Sequence, residues 1–189
     1  MKTLALSAAA ALAVSTSASA ALLLVVDLSV TDQVTITSTT GASSATINGS
    51  DGTGVYLEGF YSGDRASGVS DTLVTGDLTN VGNASSGAPN LFTSGLVDTG
   101  LNIFAWSPDA TVDFTSGSQA FTGSATWTLA SDDYAEMVAG NSGGDIYFPA
   151  DDAGDLATAV VIGQWSVIPE PGSLALLGLG GLAVLRRRR

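Results

Sequence analysis

The chain has 189 residues, of which 45% are hydrophobic, and its formal net charge is −12. It contains neither cysteine nor histidine, which excludes disulfides, thiol nucleophiles, Cys-based zinc sites and a Ser-His-Asp triad. A domain of about 150 residues buries a core without such crosslinks, so we expect one domain with terminal appendages.

The first 20 residues form a predicted secretory signal peptide. Lys2 gives a short positive start, the apolar stretch LALSAAAALAV follows, and the small residues Ala18 and Ala20 match the pattern of a cleavage site. We therefore predict cleavage between Ala20 and Ala21 and export of the mature chain. The alternative is an N-terminal core strand or helix, which is disfavoured because Ala/Ser-rich sequence packs poorly.

Residues 21–168 are predicted to form one all-β domain. Short β-branched or aromatic runs bounded by turn residues occur at 21–28, 33–37, 54–61, 101–106, 111–115, 119–129, 145–148 and 159–167. One helix is expected at 131–139 with Ser131 as its N-cap, and 81–90 is expected to be a long loop. Many strands with little helix indicate an antiparallel β-sandwich of jelly-roll type.

The predicted domain is strongly acidic. It holds 17 Asp and Glu residues against one basic residue, Arg65, which gives a formal charge of −16. Nucleic acid is therefore excluded as a partner, because phosphate binding needs clustered Lys and Arg. The charge keeps an exported protein soluble through self-repulsion, and no cofactor is expected.

One acidic cluster and one turn are candidates for metal binding. Asp151, Asp152 and Asp155 are weak candidates for calcium ligands, but they lack the alternate-position pattern of an EF-hand loop and favour a solvated turn. Residues 48–52 (NGSDG) contain Asn-Gly and Asp-Gly pairs, which are typical of a hairpin turn rather than a cation site. We therefore predict no metal site.

The domain offers few groups for glycan chemistry. Glu58 and Glu136 are its only glutamates, and a glycosidase pair would have to lie about 5–9.5 Å apart, which the sequence does not establish. We expect no catalytic residue and no enzyme activity. Six aromatic residues are candidates for a sugar-stacking surface, although core packing is the favoured interpretation of each: Tyr56, Phe60, Tyr61, Trp106, Trp127 and Tyr147.

The last 21 residues have three parts in a fixed order. A Pro169-Glu170-Pro171 segment is followed by an apolar run at 172–185, which as a helix would span about 21 Å, short of the hydrocarbon core of about 30 Å. Four arginines then end the chain: Arg186, Arg187, Arg188 and Arg189. Arginine side chains extend to the bilayer interface and stay on the cytoplasmic side, so we predict a short membrane helix with the domain outside.

This tail resembles the PEP-CTERM sorting signal of Gram-negative bacteria. The resemblance rests on the tripeptide, the apolar segment and the terminal arginines, and it covers about an eighth of the chain. It implies that an exosortase, a membrane enzyme resembling a cysteine protease, processes the precursor at Pro169, Glu170 and Pro171. The resemblance also implies transient anchoring in the inner membrane, followed by release to the cell surface or extracellular matrix.

Two classes of function remain open. The first is a non-catalytic exported surface or matrix protein that associates with extracellular polysaccharide or biofilm, as the resemblance implies. The second is a glycan-binding module, or a carboxylate-dependent glycoside hydrolase, that is sorted by the same route.

Overall fold

The computed structural model describes residues 20–63, 68–94 and 98–168. About 44% of these residues lie in strands and 8% in helices, which confirms the prediction of an all-β domain. The strands are β1 (Leu22–Asp27), β2 (Gln33–Ser38), β3 (Ile47–Ser50), β4 (Val55–Leu57), β5 (Asp71–Gly76), β6 (Thr79–Asn80), β7 (Asn90–Phe92), β8 (Leu101–Phe104), β9 (Thr111–Phe114), β10 (Phe121–Thr122), β11 (Ser124–Leu129), β12 (Gly143–Phe148) and β13 (Val160–Val167), and the helix is α1 (Ser131–Val138).

Nine strands form one large, nearly closed sheet in the order β5-β11-β2-β1-β13-β12-β4-β8-β7. Trp127 on β11, the second strand from one end, donates its indole Nε1 to the carbonyl of Pro89, just before β7 at the other end, at 3.1 Å. Two further ribbons pair β3 with β9 and β6 with β10. The two-sheet sandwich and the jelly-roll connections that the sequence predicts are not confirmed by this strand order.

The first and last strands lie side by side in the middle of the large sheet. They run parallel, with Leu24 opposite Trp165 and Val26 opposite Val167, so the prediction of a wholly antiparallel sheet is wrong at this pair. The other strand pairs of the described domain are antiparallel. Because β1 and β13 are parallel, the chain enters the domain at one end and leaves it at the other.

The predicted strand at 119–129 is divided into β10 and β11 by Gly123. This glycine has φ of +81°, and a Cβ atom there would lie 2.4 Å from the carbonyl oxygen of Asp77. The ladder nevertheless keeps its register across the bend, since Thr122 lies opposite Thr79 and Ala125 opposite Gly76. The ribbon of β6 and β10 therefore continues the pairing of β5 and β11 after a change of direction.

Helix α1 is present where the sequence predicts it, but its N-cap is one residue earlier. Ala130 is the N-cap and has no side chain to satisfy the first amides. Ser131 instead donates its hydroxyl to the carboxylate of Asp32 at 3.3 Å, while Tyr134 donates to the carbonyl of Leu28 at 2.7 Å. These two contacts place α1 beside the turn between β1 and β2, at the end of the sheet where β13 finishes.

Candidate functional site

The last strand of the domain ends two residues before Pro169. Strand β13 finishes at Val167, and the amide of Ile168 still donates to the carbonyl of Val26 at 2.8 Å. Residues 169–189, which include the tripeptide, the apolar run and Arg186 to Arg189, lie outside the described residues. Pro169 therefore follows directly after a residue that is hydrogen-bonded to the sheet.

The predicted signal cleavage site lies at the opposite end of the central strand pair. The carbonyl of Ala21 accepts a hydrogen bond from the amide of Gln164 at 2.9 Å, so the domain is hydrogen-bonded from its first predicted mature residue. Ala20 is half-buried, and Ala18 lies outside the described residues. Six strand residues separate the two ends of β1, which corresponds to about 20 Å.

The structure brings Asp151, Asp152 and Asp155 together in one exposed turn. Carboxylate oxygens of the three residues lie within 4.8 Å of one another. Two of the carboxylates also close the turn, because Asp155 accepts from the amide of Asp151 at 3.2 Å and Asp152 accepts from the amide of Gly154 at 2.6 Å. Partial burial, the hydrogen bond with Asp155 and the neighbouring charges raise the pKa of Asp151.

This acidic turn supplies fewer ligands than calcium usually takes. Calcium binds six to eight oxygen atoms, whereas the turn offers three carboxylates. The hydrogen bonds from the two backbone amides to these carboxylates are those expected of a solvated turn. Calcium binding at the turn stays a prediction that a melting experiment can test.

The predicted hairpin turn at 48–52 is only partly correct. A turn does follow β3, but β3 pairs with β9 and β4 pairs with β8, so the two strands that flank the turn do not form a hairpin. Asp51 in this turn is buried, and its carboxylate accepts from the amides of Trp106 and Ser107 at 3.1 and 3.2 Å. Burial raises the pKa of Asp51, and the two hydrogen bonds lower it by a smaller amount. Asp51 therefore fastens the turn to the segment after β8.

The two glutamates have different surroundings. Glu58 follows β4 and is half-buried. Glu136 is exposed on α1 and lines a surface cavity with Tyr61, Ser62 and Gly63. Burial, together with the charges of Glu58 and Asp145, raises the pKa of Tyr147.

Core packing, the favoured interpretation of the six aromatic residues, is confirmed for five of them. These five side chains are almost completely buried in the core, and only Tyr147 is half-buried. Tyr56 lies on the opposite face of β4 from the core residues Val55 and Leu57, and its hydroxyl donates to the buried carboxylate of Asp98. Burial and this carboxylate raise the pKa of Tyr56. The buried residues are Tyr56, Phe60, Tyr61, Trp106 and Trp127.

A cleft of about 210 Å³ lies on the outer face of the sheet at β7 and β8. Phe92 and Asn102 lie opposite each other in the two strands, and Phe104 is two residues beyond Asn102, so all three side chains share one face. Phe92 is 40% exposed, and Phe104 is half-buried. Gly52 and Asp151 complete the lining.

The polar groups in this cleft are hydrogen-bond acceptors. Asn102 is 1% exposed, and its side-chain amide nitrogen donates to three backbone carbonyls, of Thr53, Val55 and Ala150, at 2.8, 3.0 and 3.0 Å. Three carbonyl neighbours use both amide hydrogens and fix the orientation of the group. The hydrogen bonds of Asn102 among the described residues use only this nitrogen and leave its Oδ1 as an acceptor.

The sequence analysis missed this cleft. Phe92 and Phe104 are twelve residues apart on different strands. The strand that carries Phe92, β7, was not predicted because it directly follows the Gly/Ser-rich stretch predicted as a loop. The available signal was an asparagine between apolar residues in LNIF, because a polar residue inside a strand pattern needs partners if it is buried.

The comparisons with known proteins concern the tail. A model of the PEP-CTERM protein-sorting motif matches residues 167–189. No curated protein and no solved structure matches the chain. Among the described residues, no helix has both the length and the apolar character needed to cross a bilayer, and the predicted segment 172–185 lies outside them. The C-terminal segment of this chain is a PEP-CTERM protein-sorting motif.

Proposed function

We propose that this protein is an exported, non-catalytic surface or matrix protein of a Gram-negative bacterium. Its precursor is anchored in the inner membrane by the tail and is processed by an exosortase-type enzyme at the PEP tripeptide. The mature domain then associates with extracellular polysaccharide or biofilm. The observation that carries the proposal is the sorting-motif match at 167–189, which starts where the last strand of the domain ends.

The geometry of the junction supports a recognition element beside the membrane. The three residues of the tripeptide span at most about 10 Å, so they hold the domain close to the start of the apolar run. Prolines at 169 and 171 fix their own φ angles and favour extended backbone before them. Glu170 between them offers a carboxylate for charge-assisted hydrogen bonds to the processing enzyme.

The proposal is tested by replacing Pro169, Glu170 and Pro171 with alanine in the native host. We expect the variant precursor to accumulate in the inner membrane with its tail attached. Its thermal unfolding should match that of the wild type, because the substituted residues follow the last strand of the domain, which ends at Val167. An exported product of normal mass from the triple variant would contradict the sorting proposal.

A matched pair of single substitutions separates recognition from a general loss of charge. Glu170→Gln removes the carboxylate of the tripeptide, whereas Glu136→Gln removes an exposed carboxylate on α1. We expect slower processing for the first variant and normal processing for the second. Equal processing rates would show that the carboxylate between the prolines is not recognised.

A second candidate function, a glycan-binding module, is favoured by one observation. The cleft at β7 and β8 combines an exposed aromatic ring with a buried, fixed amide, which is the composition expected of a small-ligand site.

A further inference from the structure

We propose that the cleft formed by Gly52, Phe92, Asn102, Phe104 and Asp151 binds one neutral pyranose ring of a polysaccharide. The inference rests on the matrix association proposed above and names its ligand class. Its test uses binding in solution and is independent of how the tail is processed.

The cleft contains a polar side chain, Asn102, that is held in a fixed orientation. Asn102 is buried in the strand, and three carbonyls hold its amide nitrogen. An asparagine is costly at such a position unless its groups are satisfied, yet its hydrogen bonds among the described residues use only the amide nitrogen, and Asn102 lines the cleft. The structure therefore fixes an acceptor atom in the floor of the cleft, where a bound donor can complete its hydrogen bonding.

The hydrogen-bonding character of the cleft selects the ligand. The acceptors are Asn102 Oδ1 and the carboxylate of Asp151, and the backbone amides of Gly52 and Asp151 are already bonded to the side chains of Ser50 and Asp155. A ligand must therefore bring donors. The hydroxyls of a sugar do so, whereas carboxylate, sulfate and phosphate groups bring only acceptors at neutral pH.

Charge points to the same ligand class. The described residues include no lysine, arginine or histidine, and the predicted mature domain carries a formal charge of −16. An anionic polysaccharide would meet repulsion from the whole surface. Neutral sugars are not affected by this field, so the domain can approach them at any ionic strength.

The apolar part of the cleft fits the face of a sugar ring. Phe92 exposes 40% of its surface beside the half-buried Phe104, and the C–H face of a pyranose packs on such a ring as an apolar surface. The volume of about 210 Å³ is below the roughly 300–1,000 Å³ of pockets for drug-sized ligands. One ring therefore occupies the cleft, and the rest of the polysaccharide extends into solvent.

The test is calorimetric titration of the full chain, solubilised in a polyoxyethylene detergent that has no sugar headgroup. The probes are cellohexaose, mannohexaose and galactohexaose, with hexagalacturonate as the anionic counterpart. We expect at least one neutral hexasaccharide to bind saturably, with amide NMR shifts at Gly52, Phe92 and Asp151. Absence of binding by all three neutral probes, or equal binding of hexagalacturonate, would overturn the proposal.

Three variants locate the binding. Phe92→Ala should weaken it about tenfold or more, because aromatic anchors carry much of the energy of such contacts, and Phe92→Trp should retain it. Val74→Ala, which removes a 58% exposed apolar side chain on β5, is the matched control and should leave it unchanged. Undiminished binding by a folded Phe92→Ala protein would place the sugar elsewhere and refute the assignment. Sorting is measured in cells and sugar binding in solution. The sugar-binding proposal can therefore be tested even if the sorting proposal is refuted, and the reverse also holds.

Discussion

The buried contact between Tyr56 and Asp98 is expected to hold the connection after β7 against the outer face of the sheet. Asp98 is 1% exposed and accepts from three donors, the hydroxyl of Tyr56, the hydroxyl of Ser94 at 2.9 Å and the amide of Gly100 at 2.9 Å. Tyr56→Phe removes one donor and leaves the ring in place. A hydrogen bond to a charged group contributes about 1.5–3 kcal/mol, so we expect a loss of about 2 kcal/mol in the free energy of unfolding.

Urea unfolding followed by tryptophan fluorescence measures this loss. For a domain of this size about 2 kcal/mol lowers the melting temperature by about 4–8 °C. Tyr147→Phe is the matched control, because Tyr147 lies beside Tyr56 in the sheet but is only half-buried, and it should cost less than about 1 kcal/mol. If Tyr56→Phe were no more destabilising than Tyr147→Phe, the connection would not be anchored through Asp98.

Three further predictions concern charge. Burial, and then the charge of Asp133, raises the pKa of Asp71 to about 6. The folded state therefore retains a proton that the unfolded state has lost, and stability falls as pH rises from about 4 to 6. Because Asp71 is only half-buried, we expect Asp71→Asn to raise the free energy of unfolding at pH 7 by about 1 kcal/mol. The variant should also lose less stability than the wild type between pH 4 and 7. Urea unfolding that shows the same pH dependence for the variant and the wild type would contradict this. If residues 151–155 bind calcium, millimolar calcium should raise the melting temperature more than sodium chloride of equal ionic strength, and equal shifts would leave a solvated turn. Replacing residues 186–189 with neutral residues should let the precursor slip through the membrane or misorient, and unchanged anchoring in a protease-protection assay would oppose this.

Local patterns predicted several strands that are rich in β-branched or aromatic residues and flanked by turns, but not β5 at Asp71–Gly76. β2, β8, β9 and β13 were expected within a few residues of their observed bounds, because alternation of buried and exposed residues is a property of each strand alone. β6 was missed because it has two residues and exists only through its pairing with β10. The parallel pairing of β1 with β13 was also missed, since no local signal links strands about 140 residues apart.

The candidate sites were harder to predict because burial depends on distant segments. The predicted strand at 54–61 places aromatic residues on both faces, and the sequence could not show that Tyr56 is buried against Asp98. The cleft could not be predicted from the sequence for the same reason, because Phe92 and Phe104 come together only through the pairing of β7 with β8. The tail was predictable because its three parts are contiguous in the sequence.

Mass spectrometry of the native C-terminus tests the central claim most directly. The protein should be isolated from the medium or cell surface of its host, digested, and its C-terminal peptide identified. The account predicts a mature chain that ends at or next to residues 169–171, with no peptide containing Arg189. A surface-exposed protein whose C-terminal peptide still ends at Arg189 would contradict processing at the PEP segment.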